Sequence, residues 1–88
     1  MKHLTIKIEG IVQGVGFRWA ARSKANQLGV RGFARNEPDD SVLIEAEADE
    51  TALESFLAWC EVGPVSARVD RVIVEPGKVQ GYSGFENR

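Results

Sequence analysis

Hydrophobic positions along this chain change period several times, and each change marks an element. Leu4, Ile6 and Ile8 alternate with Thr5, Lys7 and Glu9, the two-residue period of a strand with one buried face. Phe17, Ala21, Ala25 and Leu28 then recur at spacings of four, four and three, which is one face of a helix. Gly29 follows as a natural terminator, because glycine accepts the left-handed conformation that ends helices. Val30 to Arg35 reads as a second strand, and Asn36-Glu37-Pro38-Asp39-Asp40-Ser41 as a turn. Val42, Ile44, Ala46 and Ala48 alternate with more polar residues, giving a third strand antiparallel to the second.

A second helix follows. Asp49 and Thr51 are equally plausible caps for it, Thr51 through a capping box with Glu54. Leu53, Phe56, Leu57 and Cys60 form its inward face, and Gly63-Pro64 stops it. Ala67 to Glu75 is a fourth strand rich in β-branched residues, Pro76-Gly77 is expected to turn the chain, and Tyr82 to Phe85 to add a short last strand. The order βαββαβ, with that extra strand, predicts an α+β ferredoxin-like sandwich: an antiparallel sheet with both helices on one face. The whole chain, 1–88, reads as one domain.

Composition narrows the class. With 43% hydrophobic and 27% charged residues, the chain resembles ordinary globular domains. Cys60 is the only cysteine and sits on an apolar helix face, so it reads as a small buried hydrophobe and no internal disulfide is possible. No long apolar run opens the sequence, so neither a secretory leader nor a membrane span is expected, and the cytoplasm is the expected compartment. His3, a lone histidine near one end, implies no metal site.

The net charge of −2 conceals an asymmetry. Residues 1–35 hold seven Lys or Arg against the single acid Glu9, whereas residues 36–61 hold nine acids and no Lys or Arg. Such a dipolar surface aids solubility, and its basic half attracts small anions. Nucleic acid is not an expected partner: the net charge is negative and no basic stripe is interleaved with aromatics.

The densest chemistry lies in Gln13-Gly14-Val15-Gly16-Phe17-Arg18, between the first strand and the first helix. Two glycines let the backbone curl and aim successive N–H groups inward, and the helix N-terminus adds partial positive charge there. Arg18 in that first turn is unfavourable unless an anion lies between it and the amides. The loop therefore reads as a cradle for one phosphate-sized anion. In this reading Gln13 and Val15 contribute backbone amides, and their side chains matter less. The loop lacks the Gly-Lys-Ser/Thr ending of a nucleotide-binding P-loop, and Trp19 stands where a dinucleotide fingerprint needs Gly or Ala.

The longer string Gly-Ile-Val-Gln-Gly-Val-Gly-Phe-Arg, residues 10–18, resembles the acylphosphatase signature. Gly32-Phe33-Ala34-Arg35-Asn36, followed by Val42, resembles the second motif of that family, and the likeness extends over essentially the whole chain. The resemblance implies a small hydrolase of carboxyl–phosphate anhydrides with a ferredoxin-like fold. It implies that Arg18 and the loop amides bind phosphate and that Asn36 holds the attacking water. The pattern departs from the family at Asp40 and Ala48, where glycine is usual, and at Asn87, where an apolar residue is common. Asp tolerates left-handed angles better than most residues, so the turn at Asp40 is expected to form.

The residue inventory agrees. The loop and its flanks offer no recognisable nucleophile arrangement. An acyl phosphate suits such a site, because it leaves as a carboxylate that needs neither a proton nor a metal. The expected partner is a small acyl phosphate or inorganic phosphate, without cofactor, metal, membrane or nucleic acid, and the chain is expected to act as a monomer. Two other readings remain: an anion-binding or regulatory module that keeps the cradle without turnover, and a carbamoyl-phosphate-handling domain of the same fold. The intact Arg18–Asn36 pair favours the enzyme over the module; the shortness of the chain weighs against the domain, which resembles the start of larger enzymes. Sequence leaves open whether Phe33 and Trp19 belong to the core or border the pocket.

Overall fold

The computed structural model describes residues 1–88. Its elements follow in the order β1 (Lys2–Ile11), α1 (Phe17–Leu28), β2 (Arg31–Asn36), β3 (Val42–Ala48), α2 (Glu50–Val62), β4 (Arg68–Gly77) and β5 (Phe85–Asn87). The strands lie in the order β4-β1-β3-β2-β5. The first four pair antiparallel, whereas β5 adds to the edge of β2 in parallel, so the sheet is mixed. This is the ferredoxin-like α+β arrangement expected from the order of elements. No helix is long and apolar enough to cross a membrane.

The core forms where the sheet meets the helices. Ile6, Ile8, Val42 and Ile44 from the sheet pack against Phe17, Ala21 and Ala25 of α1 and Leu53, Phe56 and Cys60 of α2. Small residues on α1 let it lie close to the strands, and the bulk comes from Phe17 and Phe56. Cys60 is fully buried, and burial pushes its thiol pKa up, away from reactivity. Asp49, not Thr51, caps α2: its carboxylate accepts a hydrogen bond from the Ala52 N–H at 2.8 Å.

Two boundaries differ from expectation. Pro76 and Gly77 do not turn the chain but continue β4, opposite Leu4 and His3 of β1. Proline is tolerated there because β4 is an edge strand with no neighbour on its outer side to receive an N–H. The last strand begins at Phe85 rather than Tyr82. The residues before it cross the sheet face away from the helices, and their backbone donors are spent on a side chain.

That side chain is Glu47, wholly buried on β3. Its carboxylate accepts hydrogen bonds from the N–H groups of Gln80, Gly81 (3.0 Å) and Tyr82 (3.4 Å). It also pairs with His3 Nδ1 at 2.6 Å, and the other ring nitrogen, Nε2, meets Glu45 at 2.6 Å. Thr5 donates to the same Glu45 oxygen at 2.6 Å. His3 is thus no chain-end bystander; its buried ring bridges two carboxylates, one at each nitrogen. Tyr82 then stands edge-on to Phe33, with ring centroids 5.9 Å apart, while the Arg88 guanidinium lies 4.1 Å from the Phe33 centroid. Phe33 therefore belongs to a small cluster on this second face and does not border the loop.

Desolvation opposes the charged form of both partners, and their hydrogen bonds outweigh it. The Glu47 pKa is held below its ordinary value by the Gln80 N–H, His3 and the neighbouring amides. The His3 pKa is raised above its ordinary value by Glu47 and Glu45. The depressed carboxylate stabilises the fold above its unfolded-state value, near 4.5, and that contribution is lost as pH falls. The raised imidazolium contributes below its unfolded-state value, near 6.5, and that contribution is lost as pH climbs through the higher folded value. Stability from this cluster is therefore expected to peak in the mildly acidic range and to fall on both sides. Glu47→Gln should cost about 2–4 kcal/mol in denaturant unfolding and remove most of the acid-side slope, because the charge on which His3 and the amides depend is gone.

Candidate functional site

Antiparallel pairing of β1 and β2 with β3 brings the C-terminal ends of β1 and β2 to the same end of the sheet: Ile8 and Asn36 both lie opposite Val42. Because β5 runs parallel to β2, its C-terminal end arrives there too. The glycine loop leaves β1 at this end, so the fold brings together two motifs that are far apart in the chain.

The loop is curled as its glycines allow. Gly14 has φ 73° and Gly16 φ 78°, both left-handed, and a Cβ at either position would meet nothing nearby. The requirement for glycine is thus conformational rather than steric. Gly16 is the N-cap of α1, and no side chain caps that end. None of the backbone hydrogen bonds outside helices and strands uses the N–H of Gln13, Gly14, Val15, Gly16 or Phe17 as donor. A ring of unsatisfied amides at a helix N-terminus with no acid in its first turn is an anion-binding arrangement.

Arg18 is half-buried beside these amides, and no Asp or Glu side chain lies within ion-pair distance of it. One guanidinium nitrogen, Nη1, donates to the main-chain oxygen of Arg88 at 2.9 Å. That contact orients the planar group and leaves its other donors available. Gly14, Gly16, Phe17, Arg18, Trp19, Asn36 and Asn87, with Val12, line one hollow of about 160 Å³. The lining contributes no Asp, Glu, His or Cys.

The sequence-derived site residues divide in the fold. Gly14, Gly16, Phe17, Arg18 and Asn36 come together around the hollow, although the Phe17 ring itself is core and packs on Trp59 at 5.4 Å between centroids. Val15 packs against the core instead, and its carbonyl accepts the Ser66 hydroxyl at 2.7 Å. The Gln13 side chain does more than the sequence reading assigned to it. Its amide nitrogen donates to the carbonyls of Glu37 (2.8 Å) and Ser41 (2.9 Å), tying the loop to the β2–β3 turn immediately beyond Asn36. Nothing local announces this role, since a glutamine in a glycine loop has no pattern that names a partner 24 or 28 residues away.

The same turn accommodates Asp40 at φ 73°, the left-handed geometry expected where glycine is usual. Lys7 pairs with Asp39 at 2.8 Å, and that contact, with the Ser41 hydrogen bonds, holds the Asp39 pKa well below the usual carboxylate range. Ala48 is buried with a negative φ and needs no glycine. Asn87, noted in the sequence only as a departure from the family pattern, lines the hollow because β5 pairs it with Ala34. Its unusual polarity was the one available signal. The largest hollow on the surface, about 530 Å³, lies at the other end of β1. It is walled mainly by apolar side chains, and its Lys2 and Glu50 pair with each other at 3.5 Å, so it lacks the convergent donors of the loop site.

The comparisons with known proteins agree in family and in fold. The Acylphosphatase family profile matches residues 4–87. An acylphosphatase of Thermotoga maritima is 51% identical over 85 residues, covering 97% of this chain and 94% of the relative. The crystal structure of acylphosphatase from Bacillus subtilis superposes with a TM-score of 0.97 at 31% identity, covering 100% of this chain and 99% of that one. The crystal structure of HypF from T. kodakarensis matches with a TM-score of 0.87 at 32% identity; the match covers 100% of this chain but only 12% of that larger one.

The Gln13 clamp makes a separable prediction. Gln13→Ala removes two hydrogen bonds from carbonyls that keep one backbone donor each and should cost about 1–3 kcal/mol in denaturant unfolding. It should also weaken protection of the fold by inorganic phosphate, measured as the shift in melting temperature. Gln13→Glu, which cannot donate and sets a carboxylate against the same two carbonyls, should be destabilised at least as much as the alanine variant.

Proposed function

This chain belongs to the acylphosphatase family of enzymes, and on that premise we propose that it hydrolyses a small acyl phosphate by direct attack of water. The amides of residues 13–17 and the Arg18 guanidinium hold the phosphoryl oxygens. Arg18 supplies charge-assisted, planar hydrogen bonding where negative charge is concentrated. Asn36 holds the attacking water in line with the scissile bond. The water oxygen bonds to phosphorus, the phosphorus–oxygen bond to the acyl group breaks, and its electron pair leaves with the carboxylate. The water proton passes to a phosphoryl oxygen, giving inorganic phosphate.

One observation carries this reading: Arg18, unsatisfied loop amides and Asn36 share a hollow whose walls hold no nucleophile or titratable acid. Such a site can position and neutralise but cannot protonate an alkoxide. A carboxylate leaving group is the chemistry it suits. The reaction calls for no metal or cofactor, and the substrate is a diffusible small molecule acted on by a cytoplasmic monomer. The same site without turnover would be an anion-binding module, and the experiment separates the two.

The wild-type protein should hydrolyse acetyl phosphate at the same rate with and without a chelator. Loss of activity on chelation would overturn the metal-free step. Arg18→Gln should weaken inhibition by inorganic phosphate about tenfold or more and lower kcat as well. Asn36→Ala should lower kcat by roughly 10²–10³-fold while phosphate still raises the melting temperature. A near-normal rate in Asn36→Ala would remove the water-holding role, and phosphate binding without turnover in the wild type would leave the module.

A further inference from the structure

Trp19 is 72% exposed, although it stands next to Arg18 on a helix whose neighbouring face is buried. It makes no close ring contact with another aromatic and is not among the residues packed on the core. The other tryptophan, Trp59, packs against both Phe17 and Phe56. Folding therefore leaves one large aromatic surface in water, at the mouth of the anion hollow.

Trp19 is also a shared wall. It lines the hollow that contains Arg18 and Asn36, and it lines a second, open one of about 220 Å³ with Arg22, Ser23 and Asn26. These three follow Trp19 at i+3, i+4 and i+7, so the second hollow runs along one face of α1. The first hollow, about 160 Å³, opens to solvent beside Trp19, so an acyl group attached to a phosphoryl group held there can extend past the indole. Within that lining, Val12 and Phe17 are almost wholly buried, so the indole is the only large apolar surface the acyl group can meet.

We propose that Trp19 is the acyl-recognition platform of this site, and that it favours acyl phosphates with a flat aromatic acyl group, stacked on the indole, over small aliphatic ones. The proposal rests on the acyl phosphate reading of the Arg18–Asn36 site. Stacking on an exposed indole discriminates by area and shape, and an aromatic pair is worth roughly three- to tenfold in affinity. Arg22, Ser23 and Asn26 keep the far end of the platform polar, so the acyl group lies along the helix surface without needing a deep pocket.

The test compares benzoyl phosphate with acetyl phosphate in the wild type, Trp19→Ala and Trp19→Phe. The ratio of kcat/KM for benzoyl to acetyl phosphate should fall about three- to tenfold in Trp19→Ala, chiefly through KM for benzoyl phosphate. Trp19→Phe should recover most of it. A purely structural role would lower both substrates together and leave the ratio where it was. An unchanged ratio in Trp19→Ala, with both substrates still hydrolysed, overturns this proposal and leaves the underlying function intact. Failure of the wild type to hydrolyse either substrate overturns both.

Discussion

A buried carboxylate holds the last part of this chain in place. Glu47 is completely enclosed, yet it is charged, and each of its partners comes from another part of the chain: the His3 ring from β1 and backbone donors of Gln80, Gly81 and Tyr82. An enclosed carboxylate is tolerable only when fully partnered. That condition brings the connection between β4 and β5 down onto the open face of the sheet. Phe85 then enters the core against Phe56, at 5.9 Å between ring centroids, and β5 pairs beside β2. With β5 fixed, Asn87 reaches the hollow of the glycine loop and the Arg88 main-chain oxygen reaches Arg18. The far face of the sheet thus helps to orient Arg18, without any contact between Glu47 and the hollow.

The site itself joins two local structures. One is a left-handed glycine loop that opens a helix whose N-terminus no side chain caps. The other is a β-turn whose preceding residue is Asn36. Gln13 links them through two main-chain carbonyls, and the Lys7–Asp39 pair steadies the turn from the sheet side. This division suits the chemistry of an acylphosphatase. The loop offers backbone donors that no other group in the chain uses. The turn supplies one carboxamide. The lining holds no Asp, Glu, His or Cys, so the site offers positioning rather than tuned acidity.

Much of the fold was legible because the relevant signals are local. The alternation in β1 and β3, the helical spacing of Phe17, Ala21 and Ala25, and the stop at Gly63-Pro64 all emerge as read. Pro76-Gly77 misled for a physical reason: proline breaks a strand only where its missing N–H is needed, and β4 has an empty outer edge. The burial of His3 and Glu47 was not legible at all. Each looks like a solvent-facing charge in an alternating strand, and only the tail lying across them makes the second face an interior.

The sequence by itself determined which segments become strands and helices, and it marked the glycine loop, Arg18 and Asn36 as the positions that offer anion-binding and polar groups. These follow from side-chain period, backbone permissiveness and charge, all of which act over a few neighbouring residues. The tertiary structure decided that Arg18 and Asn36 share one hollow, that Gln13 is a clamp, that Asn87 joins the lining, and that Trp19 stands in solvent while Phe33 is covered. Those outcomes depend on strand order and register. Register is set by which buried faces and polar groups find partners across the whole sheet, and no short stretch of sequence carries that information.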